Sequence, residues 1–244
     1  QSRDVWIPGS TRFDGSGQLA RSLHSRRTPR ARGAPRRLES HTPPVGTRTR
    51  CPYSLLLMLR DDTLIFRQLF DRTSCTYTYV LGCAQTQEAV LIDPVFAHHQ
   101  RDMALLRELG LTLVTVLDTH VHADHITGAW LAREASGCRI GLARIAEGAL
   151  VDLHLCDGDV VSYGRQQLHV RATPGHTDGC LSFVDEKTRF VFTGDALMIR
   201  GTGRTDFQQG SPAGLYESSQ TQLFSLSEDC VVFPGHDYVG RATS

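Results

Sequence analysis

Thr119-His120-Val121-His122-Ala123-Asp124-His125 is the stretch whose reading decides the fold. It follows Leu111 to Leu117, a near-continuous apolar run of the kind that forms a strand buried on both faces. It leads into Ile126 to Ala135, a helical pattern that stops at Gly137. In extended chain His120 and His122 project to the same side, because side chains alternate with a period of two. Asp124 and His125 then begin the turn into the helix. One short segment can thus serve two neighbouring metal positions. Imidazoles and carboxylates suit zinc, iron and similar divalent ions.

The same arrangement recurs at three more strand ends. Leu168 to Ala172 is followed by Pro174-Gly175-His176-Thr177, and Phe190 to Phe192 by Thr193-Gly194-Asp195. Val231 to Phe233 is followed by Pro234-Gly235-His236-Asp237. Ligand sites collect at such ends because the loops vary while the sheet holds them rigidly. A lone histidine is ordinarily a surface or core residue, and His24, His41, His98, His99, His154 and His169 read that way. The set His120, His122, Asp124, His125, His176, Asp195 and His236 reads instead as a metal site.

Around these loops, Tyr77 to Leu81, Ala89 to Ile92 and Leu181 to Val184 read as further strands, bounded by turn residues such as Gly82 and Pro94. Residues 98 to 109 read as an amphipathic helix with Met103, Leu106 and Leu109 on one face and Gly110 as the stop. Strands and helices in this order predict a layered α/β domain.

Composition narrows the rest. The 244 residues are 40% hydrophobic and 21% charged, with a formal net charge of zero, so the whole chain gives no sign of nucleic-acid binding. The charge is uneven, however. Residues 1 to 50 hold 11 Arg against Asp4, Asp14 and Glu39. With no apolar periodicity, residues 1–57 read as a disordered Arg-rich extension. It is a transit peptide, a nucleic-acid-binding arm or sequence foreign to the protein. The first methionine, Met58, stands just before the first patterned stretch and is the expected true start of a domain spanning 58–244. The seven cysteines are scattered and form no Cys-x-x-Cys, which argues against a disulfide framework or a zinc-thiolate site. The longest apolar run near the N-terminus, Leu55 to Leu59, is far too short to span a bilayer. The cytoplasm is the default location, with the mitochondrial matrix as the alternative if residues 1–57 are a transit peptide.

Taken together, Thr119 to His125, Gly175-His176-Thr177, Gly194-Asp195 and Gly235-His236 resemble the metallo-β-lactamase superfamily. The resemblance covers residues 63 to 240 and implies an αββα sandwich. A finer resemblance, to the persulfide dioxygenases, rests on Asp195-Ala196-Leu197-Met198-Ile199-Arg200-Gly201 and on Gly203-Arg204-Thr205-Asp206-Phe207-Gln208-Gln209-Gly210. Phe70-Asp71-Arg72-Thr73-Ser74-Cys75-Thr76-Tyr77 and Leu91-Ile92-Asp93-Pro94 also carry it.

That resemblance implies one Fe(II) per chain, held by His120, His176 and Asp195. His122, Asp124, His125 and His236 are then a vacant second metal position whose side chains orient ligands and substrate. The open positions on such a two-His, one-carboxylate iron accept the terminal sulfur of glutathione persulfide and O2, and sulfite and glutathione result. Arg204 would hold a glutathione carboxylate, with Tyr238 and Thr177 as further substrate contacts. A homodimer is compatible with this reading. Two departures stand out. Thr202 occupies the place where the family usually has Cys, and the chain stops at Ser244 where family members continue, so the domain is expected to be cut short. The alternatives are a binuclear zinc thioester hydrolase like glyoxalase II, holding two Zn, a lactonase or β-lactamase, and a truncated chain without catalysis.

Overall fold

Eight residues of one strand, Thr76–Cys83 (β2), are all buried, because two layers pack against it from opposite sides. Tyr77, Tyr79, Leu81 and Cys83 enter one apolar cluster and Val80 enters another. The computed structural model describes residues 63–146 and 150–238. The expectations for residues 1–57 and for a start at Met58 lie outside the described residues.

β2 sits in a six-stranded sheet with Leu64–Asp71 (β1), Glu88–Ile92 (β3), Thr112–Leu117 (β4), Arg139–Ala143 (β5) and Leu153–Leu155 (β6), in the order β1-β2-β3-β4-β5-β6. The first three strands pair antiparallel, and β3 to β6 pair in parallel. The second sheet runs β11-β10-β9-β8-β7. It is built from Val160–Tyr163 (β7), Gln166–Ala172 (β8), Leu181–Asp185 (β9), Phe190–Gly194 (β10) and Val231–Pro234 (β11). Here only β10 and β11 are parallel.

Alternation along the strands sorts side chains between layers. Tyr79, Leu81, Ile92 and Leu117 of the first sheet meet Leu168, Val170, Phe183, Phe190, Phe192 and Phe233 of the second in one cluster. Fully burying each such phenylalanine contributes about 1.5–3 kcal/mol, so this interface dominates the stability of the sandwich. The opposite face of the first sheet packs under His99–Glu108 (α1) and Ala129–Ser136 (α2) through Leu106, Ala129 and Ala132. Outside the second sheet, Leu215 of Pro212–Ser218 (α3) and Leu223 of a π-turn over Ser219–Leu223 cover Val184 and Val191. The layers are therefore helix, sheet, sheet, helix, as the resemblance to the metallo-β-lactamase superfamily implies.

Two boundaries move. The helix expected from Ile126 starts at Ala129, because the preceding residues are tied into other contacts. Ile126 gives its carbonyl to the Phe96 N–H (2.9 Å). Thr127 pairs with Val95, donates its hydroxyl to Asp118 (3.0 Å) and accepts the Ala129 N–H (3.2 Å). Gly137 ends this helix in the left-handed region (φ 72°), as its position predicts. The helix expected over 98 to 109 starts one residue later at His99, behind a 3-10 turn over Phe96–His98, and ends at Glu108. The six cysteines among the described residues are all free.

Tyr79, 1% exposed, is an inner-face aromatic that also joins the sheets by a hydrogen bond, donating its hydroxyl to the Pro234 carbonyl at 2.6 Å. Tyr79→Phe leaves that buried carbonyl unpaired. It is expected to lower unfolding free energy by about 1–3 kcal/mol in urea titrations of the metal-loaded protein.

Candidate metal centre

The expected ligand residues converge at one end of the sandwich. His120, His176 and Asp195 each offer a donor atom, all within 4.8 Å of one another, with His120 and Asp195 buried and His176 nearly so. They come from the loops after β4, β8 and β10. The second contact each makes selects which atom is left over. His120 Nδ1 lies 3.0 Å from Thr119 Oγ1, which leaves Nε2. His176 Nδ1 donates to the Arg204 carbonyl at 2.7 Å, which leaves Nε2. Asp195 Oδ1 accepts from His236 Nδ1 at 2.6 Å, which leaves Oδ2, 3.6 Å from His176 Nε2.

The electrostatics suit a cation. Burial, reinforced by the neighbouring His122, pushes the His120 imidazole well below its ordinary pKa, so it stays neutral with a lone pair. Burial would raise the Asp195 carboxyl, but the hydrogen bond from His236 and the surrounding imidazoles outweigh it and hold the group as a carboxylate. Two imidazoles and one carboxylate, with no thiolate, form a donor set for a divalent ion of the iron or zinc type. The residues fit the group that the fold implies.

His122, Asp124, His125 and His236 form the adjacent group, again with donor atoms within 4.8 Å. His236 differs from the others because both its nitrogens are engaged, Nδ1 by Asp195 and Nε2 by Asp124 Oδ2 at 3.1 Å. Burial would lower its pKa, but hydrogen bonds to Asp124 and Asp195 and their charges lift it to about 10. By contrast, both nitrogens of His122 and Nε2 of His125 are buried without a hydrogen-bond partner.

Three predicted substrate contacts lie around this centre. Arg204 is exposed, with its guanidinium on Asp206 through two contacts (2.8 and 2.9 Å) and over the ring of Phe207 (5.8 Å). Only its backbone carbonyl touches a candidate ligand, His176. Tyr238 is 56% exposed, and its ring stacks on that of His236 at 5.1 Å. Thr177 is buried, with its hydroxyl 3.2 Å from Cys180 Sγ.

Sequence reasoning gave no role to several residues that build the site. Asp93, fully buried after β3 at φ 50°, accepts from the N–H and the hydroxyl of Thr119 at 2.7 and 2.9 Å. It lies 3.3 Å from His122 Nε2. Asp118 completes a third group with Asp93 and His122. Burial and the Asp93 charge raise its carboxyl well above the usual range. Gln208 bridges the 202–210 loop to the histidine loop by donating to the Val121 carbonyl at 3.1 Å. The rule that singled out four strand ends applies equally to Ile92-Asp93-Pro94, a fifth.

Comparison with known proteins agrees with this geometry. The profile described as the metallo-beta-lactamase superfamily matches residues 75–236, from the residue before β2 to His236. The chain belongs to that superfamily, which is the class its sandwich and its strand-end histidines define. Over 182 residues it is 50% identical to the protein named "Persulfide dioxygenase ETHE1, mitochondrial" of Homo sapiens, covering 74% of this chain and 71% of that one. The crystal structure of ETHE1 from Myxococcus xanthus superposes with a TM-score of 0.70 at 47% identity, covering 72% of this chain and 77% of that one. A hydroxyacylglutathione hydrolase of Polaromonas sp. is 34% identical over 168 residues, covering 67% of this chain and 62% of that one. Within the superfamily the chain therefore belongs with the persulfide dioxygenases, and the glyoxalase II-like reading is not favoured.

A Cβ at Gly203 would fall 2.6 Å from His176 Nδ1 and 2.9 Å from the Asp195 Cβ, so only glycine lets this loop close over the two residues. Gly203→Ala is expected to reduce the metal content of the purified protein, measured by elemental analysis. Thr202→Ala, beside it, is expected to leave that content unchanged.

Proposed function

We propose that this chain is an iron-dependent enzyme that oxidises glutathione persulfide with O2 and, after hydrolysis by water, releases sulfite and glutathione, with one Fe(II) held by His120, His176 and Asp195. Membership of the persulfide dioxygenase family carries the reaction. The leftover atoms of those three side chains support the ligand set. Bound Fe(II) supplies the redox chemistry that joins O2 to the terminal sulfur of the persulfide.

The remaining roles belong to the chain. Thr119, the Arg204 carbonyl and His236 each fix the orientation of one ligand, so the three donor atoms are set before metal arrives. His236 supports a single metal. Binding a second ion through either of its nitrogens would break its hydrogen bond to Asp195 or to Asp124. The opposite observation favours the two-metal reading, with two Zn as its form, because His122 Nδ1 and His125 Nε2 are buried without a hydrogen bond. Arg204 is assigned to a glutathione carboxylate. Its contact with Asp206 is an exposed ion pair, which contributes little and can be exchanged for a substrate carboxylate at small cost. Tyr238 and Thr177 are assigned supporting contacts to the same substrate.

No helix among the described residues is long and apolar enough to cross a membrane. The human relative is named as mitochondrial. The Arg-rich, acid-poor composition of residues 1–57 supports a mitochondrial matrix address here over the cytoplasm.

Elemental analysis is expected to find about one iron per chain, the stoichiometry of a single two-His, one-carboxylate site. Asp195→Ala should lose both iron and oxygen consumption, whereas His236→Ala should keep most of the iron. Two zinc ions per chain, or loss of iron in His236→Ala, would sink the single-iron reading.

Steady-state oxygen consumption tests the substrate clamp. Arg204→Ala is expected to raise KM for glutathione persulfide with iron content unchanged. Arg204→Lys should recover only part, because an ammonium lacks the bidentate geometry. A wild-type KM in Arg204→Ala would remove Arg204 from the substrate site.

A further inference from the structure

A buried run of carboxylate and hydroxyl groups leads from the first strand into the centre. Asp71, the last residue of β1, accepts from the Thr73 N–H (3.2 Å), the Ser74 N–H (2.8 Å) and the Ser74 hydroxyl (2.6 Å). His98 Nε2 lies 2.9 Å from its other oxygen. Burial pushes the Asp71 carboxyl upward, but the Ser74 hydroxyl and N–H, His98 and the Thr73 N–H together hold it well below the usual carboxylate range. Asp71 is thus an acceptor only.

The direction of every following hydrogen bond is then fixed, because a hydroxyl has one proton. Ser74 gives its proton to Asp71, so at its other contact Ser74 Oγ accepts, and Thr76 Oγ1, 2.7 Å away, donates. Thr76 also approaches Asp124 Oδ2, but at 3.4 Å, the weaker destination for its proton. With that proton committed to Ser74, Thr76 Oγ1 accepts from His125 Nδ1 at 3.3 Å. Asp124 Oδ2, also 3.3 Å from this nitrogen, is a second acceptor. Both neighbours call for hydrogen on Nδ1. With the ring N–H on Nδ1, Nε2 is left bare, and it is the buried nitrogen without a hydrogen-bond partner.

We infer that Thr76 is a positioning residue: its hydroxyl, oriented by Ser74, fixes His125 in the Nδ1–H tautomer and offers Nε2 as an acceptor within the centre. That lone pair can accept a hydrogen bond from substrate or water beside the iron position. The inference rests on the place proposed for His125 in the site, but its readout does not depend on persulfide oxidation.

The test is ring-15N NMR of protein reconstituted with one equivalent of diamagnetic Zn(II), with His125→Gln to assign the resonance. Wild type should show His125 protonated at Nδ1 and bare at Nε2. Thr76→Val, equal in shape but without the hydroxyl, should mix the two tautomers. In the iron-loaded enzyme it should also lower kcat about three- to tenfold, the loss of one ordinary hydrogen bond, with KM and iron content kept. Thr76→Ser should restore both properties. Ser74→Ala frees the Thr76 proton without touching His125, and it should shift the tautomer in the same direction. It decides the matter if Thr76→Val does not fold. A His125 tautomer unchanged in Ser74→Ala and in any folded Thr76→Val overturns the inference, as does a fall in kcat without a change of tautomer. A tautomer shift in a protein that oxidises no persulfide supports the inference and counts against the dioxygenase reading alone.

Discussion

His236 between Asp195 and Asp124 is the contact that joins the two groups of side chains in the centre. A buried carboxylate without a partner is strongly destabilising, and here buried Asp195 lies close to the more exposed Asp124. One imidazole with both nitrogens engaged satisfies both, at 2.6 and 3.1 Å. The contact also joins the sheets. Asp195 follows β10 of the second sheet, and Asp124 lies in the loop after β4 of the first. The backbone repeats the connection nearby, where Thr76 of β2 bridges to His236 and the Tyr77 N–H donates to the Gly235 carbonyl at 2.8 Å. Without His236, Asp195 would lose one of the contacts that aim it, while His120 and His176 keep theirs to Thr119 and the Arg204 carbonyl.

Charge is distributed around that contact in two tiers. Nearest the proposed iron position, a neutral imidazole and a carboxylate leave a surplus of negative charge for a cation to offset. Behind it, Asp93 organises Thr119 through two hydrogen bonds and Asp118 lies against it in the same buried group. Two charges would repel there, so one of the pair keeps its proton. The outer tier therefore adds one negative charge rather than two, and the Asp93 carboxylate, like Asp195, acts on the His120 imidazole.

Much of this was legible in the sequence. The strand-end histidines and Asp195 stood out because their flanking runs, Leu111 to Leu117 and Phe190 to Phe192, are apolar enough to mark strands. The edges were not legible. Val160–Tyr163 is half exposed and Leu153–Leu155 spans three residues, so neither carries a clear apolar pattern. Leu64–Asp71 alternates only loosely. Helix α3 lies in Pro212–Ser218, where Gly and Ser hide the period. Thr76, Ser74 and Asp71 could not be assigned because their importance is a matter of hydrogen-bond direction, and spacing carries no trace of it. Arg204 was legible as a basic residue near the site, but its contact with Asp206 was not, since neighbours in sequence need not face each other.

The proposed iron ligands are 75 positions apart from first to last, His120 to Asp195, on loops from both sheets. An unfolded chain cannot gather them, so the ion would recognise the closed sandwich almost exclusively. Occupancy then acts by mass action on the whole domain. With free metal at a hundred times its dissociation constant, the folded state would gain about 2.7 kcal/mol. That is a sizeable fraction of a typical domain's total stability. A cell short of the ion would thus lose more than activity. Its copies of this chain would open more often and be cleared sooner, so protein abundance itself would follow metal supply.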